Sequence, residues 1–179
     1  MLLLGVILAI VLARTLGPDA RGTLAIIILS INLTSVVFEM GLPEASIYVL
    51  GKNLDEKSSS IQKLFTFSCI IAILSIPIVG LFLYFFSSFA QNLDIFIVLA
   101  ISSSISISYA RHILLGLDEF FSYSLNILIE ASIYLFLITL LYFFYLDYFT
   151  RDNIVGAYTI AVIFSQLAAW MSVRRKIKS

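Results

Sequence analysis

LFTFSCIIAILSIPIVGLFLYFFS, residues 64–87, contains no charged side chain. As a helix it is long enough to cross the hydrocarbon of a membrane, which takes about 20 residues. The whole chain of 179 residues shares this character, since it is 61% hydrophobic and 12% charged, with a mean hydropathy of +1.06. Soluble domains carry about 25% charged residues, and so much apolar surface in water would cause aggregation. The composition therefore predicts an all-α integral membrane protein.

Five further segments flank this stretch and have the composition of membrane helices. The first is too short to span and fits the end of a helix whose beginning is missing. The second either ends before a break at residues 41–43 or continues through it to residue 50. These segments cover residues 1–13, 22–39, 94–116, 122–145 and 153–172. The prediction is a six-helix transmembrane bundle made by one unit, residues 1–179, of a chain that is incomplete at both ends.

The basic residues predict the orientation of this bundle. The links after the second, fourth and sixth segments hold eight of the eleven Lys and Arg residues, and the other links hold three. Cytoplasmic loops carry the excess of positive charge in membrane proteins. We therefore expect a multi-pass protein with its N-terminus and its C-terminus in the cytoplasm.

Three of the segments carry polar side chains at helical spacing, so that each has one polar face. Polar and ionisable groups are costly in lipid and are expected to face protein or water. The faces are formed by Asn32, Ser35 and Glu39 in the second segment, by Ser104, Ser108 and Arg111 in the fourth, and by Tyr123, Asn126, Glu130 and Tyr134 in the fifth. The pattern predicts a shared hydrated interior between these helices.

Arg111 and Glu130 are predicted to form a pair within this interior. If the fourth and fifth segments form a hairpin that turns near residues 116–121, the two side chains differ in depth by about one helical turn, or ~6 Å. An arginine can span that gap, and pairing lowers the cost of burying both charges. The two residues are then either substrate contacts on a cavity wall or a structural link between helices, and for the serines close helix packing is the simpler reading.

Glu39 precedes a break in the second segment, where Gly41 and Pro43 interrupt the helical pattern. Proline removes a backbone donor and disfavours helix at the residue before it. Broken helices next to acidic residues are common at substrate or ion sites of transporters. Glu39 is therefore a candidate cavity residue, whereas Glu44 fits a solvated helix end.

Other kinds of site have little support in the sequence. The single histidine, His112, has no second histidine with which to bind a metal, and the single cysteine, Cys69, can form no internal disulfide. A phosphate-binding loop is missing, and the balanced charge argues against a nucleic-acid partner. We expect no enzyme, no metal site and no cofactor, and leave open a coupling cation, Na⁺ or H⁺.

A polar island, ARTLGPDARG at residues 13–22, separates the first two apolar segments. A glycine can end one helix and a proline can begin the next. An arginine in the last turn and an aspartate in the first turn suit the helix dipoles. We predict a tight extracytoplasmic turn here.

The island and the break also resemble a known family. LARTLGPDARGTLAI and, about twenty residues later, FEMGLPEASIYVLGK are similar to the N-terminal signature of Wzx/RfbX-type polysaccharide flippases, the O-antigen and teichoic-acid exporters of the MOP superfamily. LLGLDEFFSYSLNIL is similar to the link between helices four and five of that family. The matching residues are Arg14, Leu16, Gly17, Pro18 and Gly22 in the first motif and Glu39, Gly41 and Leu42 in the second.

The resemblance implies one lobe of a two-lobed transporter that works by alternating access in the bacterial inner membrane. Its implied substrate is a polyprenyl-pyrophosphate-linked oligosaccharide. Its implied partners are membrane lipid, polysaccharide assembly proteins and a missing C-terminal lobe. In this interpretation Arg111 meets the pyrophosphate, and Glu130 holds that arginine or carries a coupling cation.

Three alternatives stay open at this point. A multidrug or cation antiporter of the same superfamily would share the bundle, and cavity acids without basic partners would favour it. A non-transporting membrane fragment or accessory subunit would share the composition. A membrane glycosyltransferase would need a soluble acidic active-site loop, for which the sequence offers no convincing candidate.

Overall fold

A computed structural model describes residues 2–52, 57–85, 94–144 and 151–178, and throughout these ranges the chain is almost entirely helical. Side chains of residues 13–20 and of several residues next to the gaps lie outside this description. The described helices are α1 (Leu2–Glu39), α2 (Leu42–Lys52), α3 (Lys57–Phe85), α4 (Asp94–Gly116), α5 (Phe120–Phe144) and α6 (Arg151–Lys178).

Five segments of the described helices are long and apolar enough to cross a membrane. Each of them overlaps a segment chosen from hydropathy. They are Arg21–Glu39, Ser59–Leu81, Ile95–Gly116, Phe120–Phe143 and Asp152–Lys176. The predicted fold class, a helical membrane bundle, is confirmed.

Helix α4 lies at the centre of the bundle and packs against every other helix. Its serine-rich run allows close approach, because small side chains let membrane helices pack tightly and a serine hydroxyl can bond across the interface. The Ser102 hydroxyl donates to the carbonyl oxygen of Ala72 in α3 at 3.0 Å. One turn further along α4, the indole Nε1 of Trp170 in α6 donates to the Ser106 hydroxyl at 3.0 Å.

Apolar side chains fill the interior in two clusters along α4. One is built around Ile31, Ile105 and Ile138, and the other around Leu50 and Ile113. The outward faces of α1, α3 and α5 expose large apolar side chains. This pattern suits a bundle surrounded by lipid, because hydrocarbon does not penalise exposed apolar groups as water does.

The predicted turn at residues 13–22 is not found, because α1 runs unbroken from Leu2 to Glu39. One proline removes a single backbone donor, and Gly17 before it has no Cβ to meet the proline ring. The flanking leucine and alanine residues favour helix. At 1.5 Å per residue α1 is ~57 Å long. Residues 2–20 therefore cannot form a separate span that returns through the membrane, and the cytoplasmic N-terminus predicted from such a span loses its support.

The helix break predicted at residues 41–43 lies between α1 and α2. Met40 and Gly41 have positive φ values of 52° and 70°, the left-handed conformation that ends helices. Helix α2 then packs on the end of α4, where a Cβ on Gly116 would lie 3.1 Å from the Ile47 Cα. The hairpin between α4 and α5 turns at Asp118, whose φ is 60°.

Candidate functional site

A cavity of about 370 Å³ lies between α1, α4, α5 and α6. Seven of the eight candidate cavity residues named from the sequence line it. They are Asn32, Ser35, Glu39, Ser104, Ser108, Arg111 and Glu130. The eighth, Asn126, is only 3% exposed and lies behind Arg111, to which it is hydrogen-bonded. The three polar faces therefore converge, as the helical spacing predicted.

Arg111 is held on the wall of this cavity by groups from two neighbouring helices. Its Nη2 lies 2.5 Å from the Glu130 Oε2, which confirms the predicted pair. Its Nε donates to the Asn126 Oδ1 at 2.7 Å, and Nη2 lies 3.4 Å from the Ser165 Oγ. The guanidinium is thereby fixed in position on both α5 and α6.

Asn126 and Ser165 form a second layer that fixes the partners of Arg111. The Asn126 Nδ2 donates to the carbonyl oxygen of Ser165 at 2.7 Å, and the Ser165 hydroxyl donates back to the carbonyl oxygen of Asn126 at 3.1 Å. Both side chains are buried. The buried polar atoms of these two side chains all have hydrogen-bond partners. The layer therefore joins α5 to α6 by a specific polar contact.

The Arg111 and Glu130 side chains are 18% and 22% exposed, so both retain access to the cavity. A charge in the middle of a membrane helix costs at least about 2.5–3.5 kcal/mol on insertion scales. Pairing offsets part of this cost. The arrangement can present a cation to an anionic ligand in the cavity, and the same ligand could replace Glu130 as the partner of Arg111.

Glu39 forms a separate acidic position at the end of α1. It is 8% exposed and hydrogen-bonds with the Ser108 side chain. Among the described residues it makes no salt bridge. The cavity thus has one acid paired with arginine and one without a basic partner.

His112 lines the same cavity, near the end of α4. Its Nδ1 is 2.8 Å from the carbonyl oxygen of Ser108, and its Nε2 is 3.8 Å from the Glu44 carboxylate. Because a carbonyl oxygen only accepts, Nδ1 carries a proton. Glu44 is exposed, as expected for a solvated helix end. In the described part of the chain, no group of three or more His, Cys, Asp or Glu side chains converges to bind a metal ion.

The sequence did not identify the contribution of α6. Tyr158 lines the cavity and hydrogen-bonds with Ser104, and Ser165 completes the layer behind Arg111. Tyr158 and Ser165 lie seven residues apart on one face of α6, so helical spacing was the signal that could have identified them. Tyr134, from the predicted face of α5, does not line the cavity but packs edge-to-face on Tyr158 with ring centroids 5.5 Å apart.

Among the residues that carried the family resemblance and whose side chains are described, only Glu39 lines the cavity. The side chains of Arg14, Leu16, Gly17 and Pro18 lie outside the described residues. Gly22 is exposed on α1, whereas Gly41 and Leu42 form the break after Glu39. Among the described residues at these positions, only Gly41 has a backbone conformation, with a positive φ, that favours glycine.

Comparison with known families gives one match. The model of a family described as "Polysaccharide biosynthesis protein" matches residues 11–108, which is more than half of the chain. It covers α2, α3 and most of α1 and α4, including the α1 and α4 walls of the cavity as far as Ser108. No curated protein and no solved structure matches the chain significantly.

Proposed function

Because the chain belongs to the polysaccharide biosynthesis protein family, we propose that it forms one lobe of a flippase. The flippase moves a polyprenyl-pyrophosphate-linked oligosaccharide across the bacterial inner membrane by alternating access. A second lobe completes the transporter, and the exposed apolar faces of α1 and α5 offer surface for it. The oligosaccharide would serve surface polysaccharide synthesis, such as O-antigen export.

The position of Arg111 is the observation that supports this proposal most directly. A guanidinium offers several donors in a fixed plane and binds phosphate through two of them at once. Here it faces a cavity inside the membrane and is oriented by Asn126 and Glu130. A pyrophosphate entering the cavity would take over the bonds that Glu130 makes, because its larger negative charge competes for the same donors.

The two cavity acids supply a route for coupling to a cation. Glu130 would be released when Arg111 binds pyrophosphate, and could then take up H⁺ or Na⁺. Glu39 offers a second position for a cation, since it has no basic partner among the described residues. Either event would link substrate binding to the ion gradient.

An antiporter for small organic cations is the second candidate, and Glu39 is the observation that favours it. In that case Glu39 would bind the exported cation and Arg111 would only hold α4, α5 and α6 together. Charge removal then separates the two functions, since Glu39→Gln would abolish cation export and Arg111→Gln would leave it largely intact.

We place the C-terminus in the cytoplasm. Eight of the eleven Lys and Arg residues lie at the end of α2 or the beginning of α3, near the end of α4, or in the last turns of α6. Without Arg111, which faces the cavity, the count is still seven to three. The unbroken α1 does not change this count, because the remaining three arginines still fall on the opposite side. Reporter fusions at residue 178 that are active only in the cytoplasm would support this orientation, and fusions active only in the periplasm would contradict it.

The test of flipping uses Arg111 variants in cells that lack their own O-antigen flippase and display glycan only when complemented. We expect Arg111→Ala to abolish display and Arg111→Lys to restore only part of it, because lysine binds phosphate through a single point charge. Lys52→Ala is the matched control, since Lys52 is a cation at the exposed end of α2. Full display with Arg111→Ala at normal protein level would refute the role of Arg111.

A further inference from the structure

A second cavity, of about 560 Å³, lies between the beginning of α3 and the end of α6. It shares no lining residue with the cavity at Arg111. Most of its lining side chains are apolar, including Ile61, Phe65 and Trp170. We call it the α3–α6 groove. Its two walls belong to candidate membrane spans, Ser59–Leu81 and Asp152–Lys176.

Two aromatic rings give the α3–α6 groove a fixed shape. Phe65 and Trp170 pack edge-to-face, with ring centroids 4.6 Å apart and an interplanar angle of 81°. The indole is also anchored to α4, because its Nε1 donates to the Ser106 hydroxyl at 3.0 Å. A tryptophan with one end hydrogen-bonded has a single orientation, and its apolar rings remain available as a wall.

One end of the α3–α6 groove is positively charged. Arg174 lines it, and Lys63 and Arg175 follow directly on lining residues of α3 and α6. All three residues are exposed, and none of them forms a salt bridge with a described residue. The groove therefore combines an apolar wall with exposed cations at one end, none of which pairs with an acid in the described part of the chain.

We propose that the α3–α6 groove binds an anionic phospholipid. One acyl chain lies along Phe65 and Trp170, and the phosphate of the head group pairs with Arg174. Basic pockets between membrane helices bind anionic lipid head groups in this way, and tryptophan is favoured at the level of the head groups. This site is separate from the proposed substrate cavity and does not depend on the flippase function.

The chain contains a single tryptophan, so quenching of Trp170 fluorescence reports on this groove alone. The purified protein is reconstituted in phosphatidylcholine vesicles that contain increasing fractions of dibrominated phosphatidylglycerol or dibrominated phosphatidylcholine. Bromine quenches the indole when its acyl chain is in contact. We expect half-maximal quenching at a clearly lower fraction of dibrominated phosphatidylglycerol than of dibrominated phosphatidylcholine. We expect this preference to shrink in high salt, which screens the head-group contact.

Substitutions at the charged end of the α3–α6 groove test whether Arg174 causes the preference for phosphatidylglycerol. Arg174→Gln should reduce the preference for phosphatidylglycerol about fivefold, the effect of one basic residue next to an anionic lipid, whereas Arg174→Lys should keep most of it. Arg21→Gln is the matched control, because Arg21 is an exposed arginine of α1 that does not line the groove. Equal quenching by both lipids in the unaltered protein, or equal losses in Arg174→Gln and Arg21→Gln, would overturn the proposal. If Arg174→Gln does not fold, a preference that persists unchanged in 1 M salt overturns it.

Discussion

The pair of Arg111 and Glu130 predicts an asymmetric response to losing either partner. In Arg111→Met, the Glu130 carboxylate loses its only salt-bridge partner among the described residues. In Glu130→Gln, Arg111 keeps the Asn126 Oδ1 at 2.7 Å and the Ser165 Oγ at 3.4 Å, and the new amide oxygen can still accept a hydrogen bond. The first change should therefore be the more destabilising, although each removes one charge of the same pair.

The size of this difference follows from burial. Breaking a buried ion pair costs about 3–5 kcal/mol when the remaining charge is uncompensated. Because the two side chains are 18% and 22% exposed to the cavity, the lower end applies, or about 3 kcal/mol for Arg111→Met. Glu130→Gln should cost about 1 kcal/mol, the difference between a hydrogen bond to a charged acceptor and one to a neutral acceptor, because the new amide oxygen still accepts from Arg111. The double variant should be more stable than Arg111→Met alone, with a coupling energy of about 1.5 kcal/mol.

Thermal unfolding of the purified protein in one detergent measures these values. A loss of 1 kcal/mol lowers Tm by about 2–4 °C for a chain of this size. We therefore expect a fall of ~6–12 °C for Arg111→Met and ~2–4 °C for Glu130→Gln. Equal falls for the two single variants, or a double variant with the lowest Tm of the three, would refute the reasoning. Glycan display by a stable double variant would show that the pair is purely structural.

Three further predictions concern the helix ends. Gly116→Val should destabilise the protein by about 1–3 kcal/mol, because the new side chain meets the backbone of α2; Gly51→Ala, in open space on α2, should leave Tm unchanged or higher. Gly41→Ala should cost about 1–2 kcal/mol in the same assay, because its φ of 70° is left-handed. Finally, the salt bridge from Lys176 lowers the pKa of Glu119 in the folded protein. The stabilisation that this salt bridge provides is therefore present above the unfolded-state pKa of Glu119. It is lost as pH falls through the lowered folded-state pKa. The Tm difference between the unaltered protein and Glu119→Gln should accordingly be largest near pH 7 and shrink in acid, and a constant difference would contradict this assignment.

Periodicity predicted the candidate site well because membrane helices obey a single rule. A polar side chain inside the hydrocarbon must face protein or water, so spacing along one helix indicates which face is inside. That rule predicted that Ser104, Ser108 and Arg111 line the same interior as Asn32, and all four line one cavity. On α6 it puts Tyr158 and Ser165 on one face, seven residues apart, but it does not show which helix that face meets. Their role depends on which helix packs beside α5, which is a property of the tertiary structure.

The island at residues 13–22 shows the opposite case, where local signals were wrong. Glycine, proline and paired charges are typical of turns, but each also tolerates a helix when its neighbours favour one. The chain breaks instead at Met40 and Gly41, where the left-handed backbone lets α2 pack against α4. Glycine, proline and charged residues thus indicate where a chain can turn, and tertiary packing determines where the helix ends.

The central position of α4 has a consequence for the order of events during biosynthesis. Helices α1, α2 and α3 are made first, yet they contact one another much less than they contact α4. Membrane helices insert individually and associate afterwards. The first three helices therefore remain loosely associated in the bilayer until α4, which ends at residue 116, has been synthesised. A translational pause before that point would prolong the period in which quality-control proteases can recognise the nascent chain.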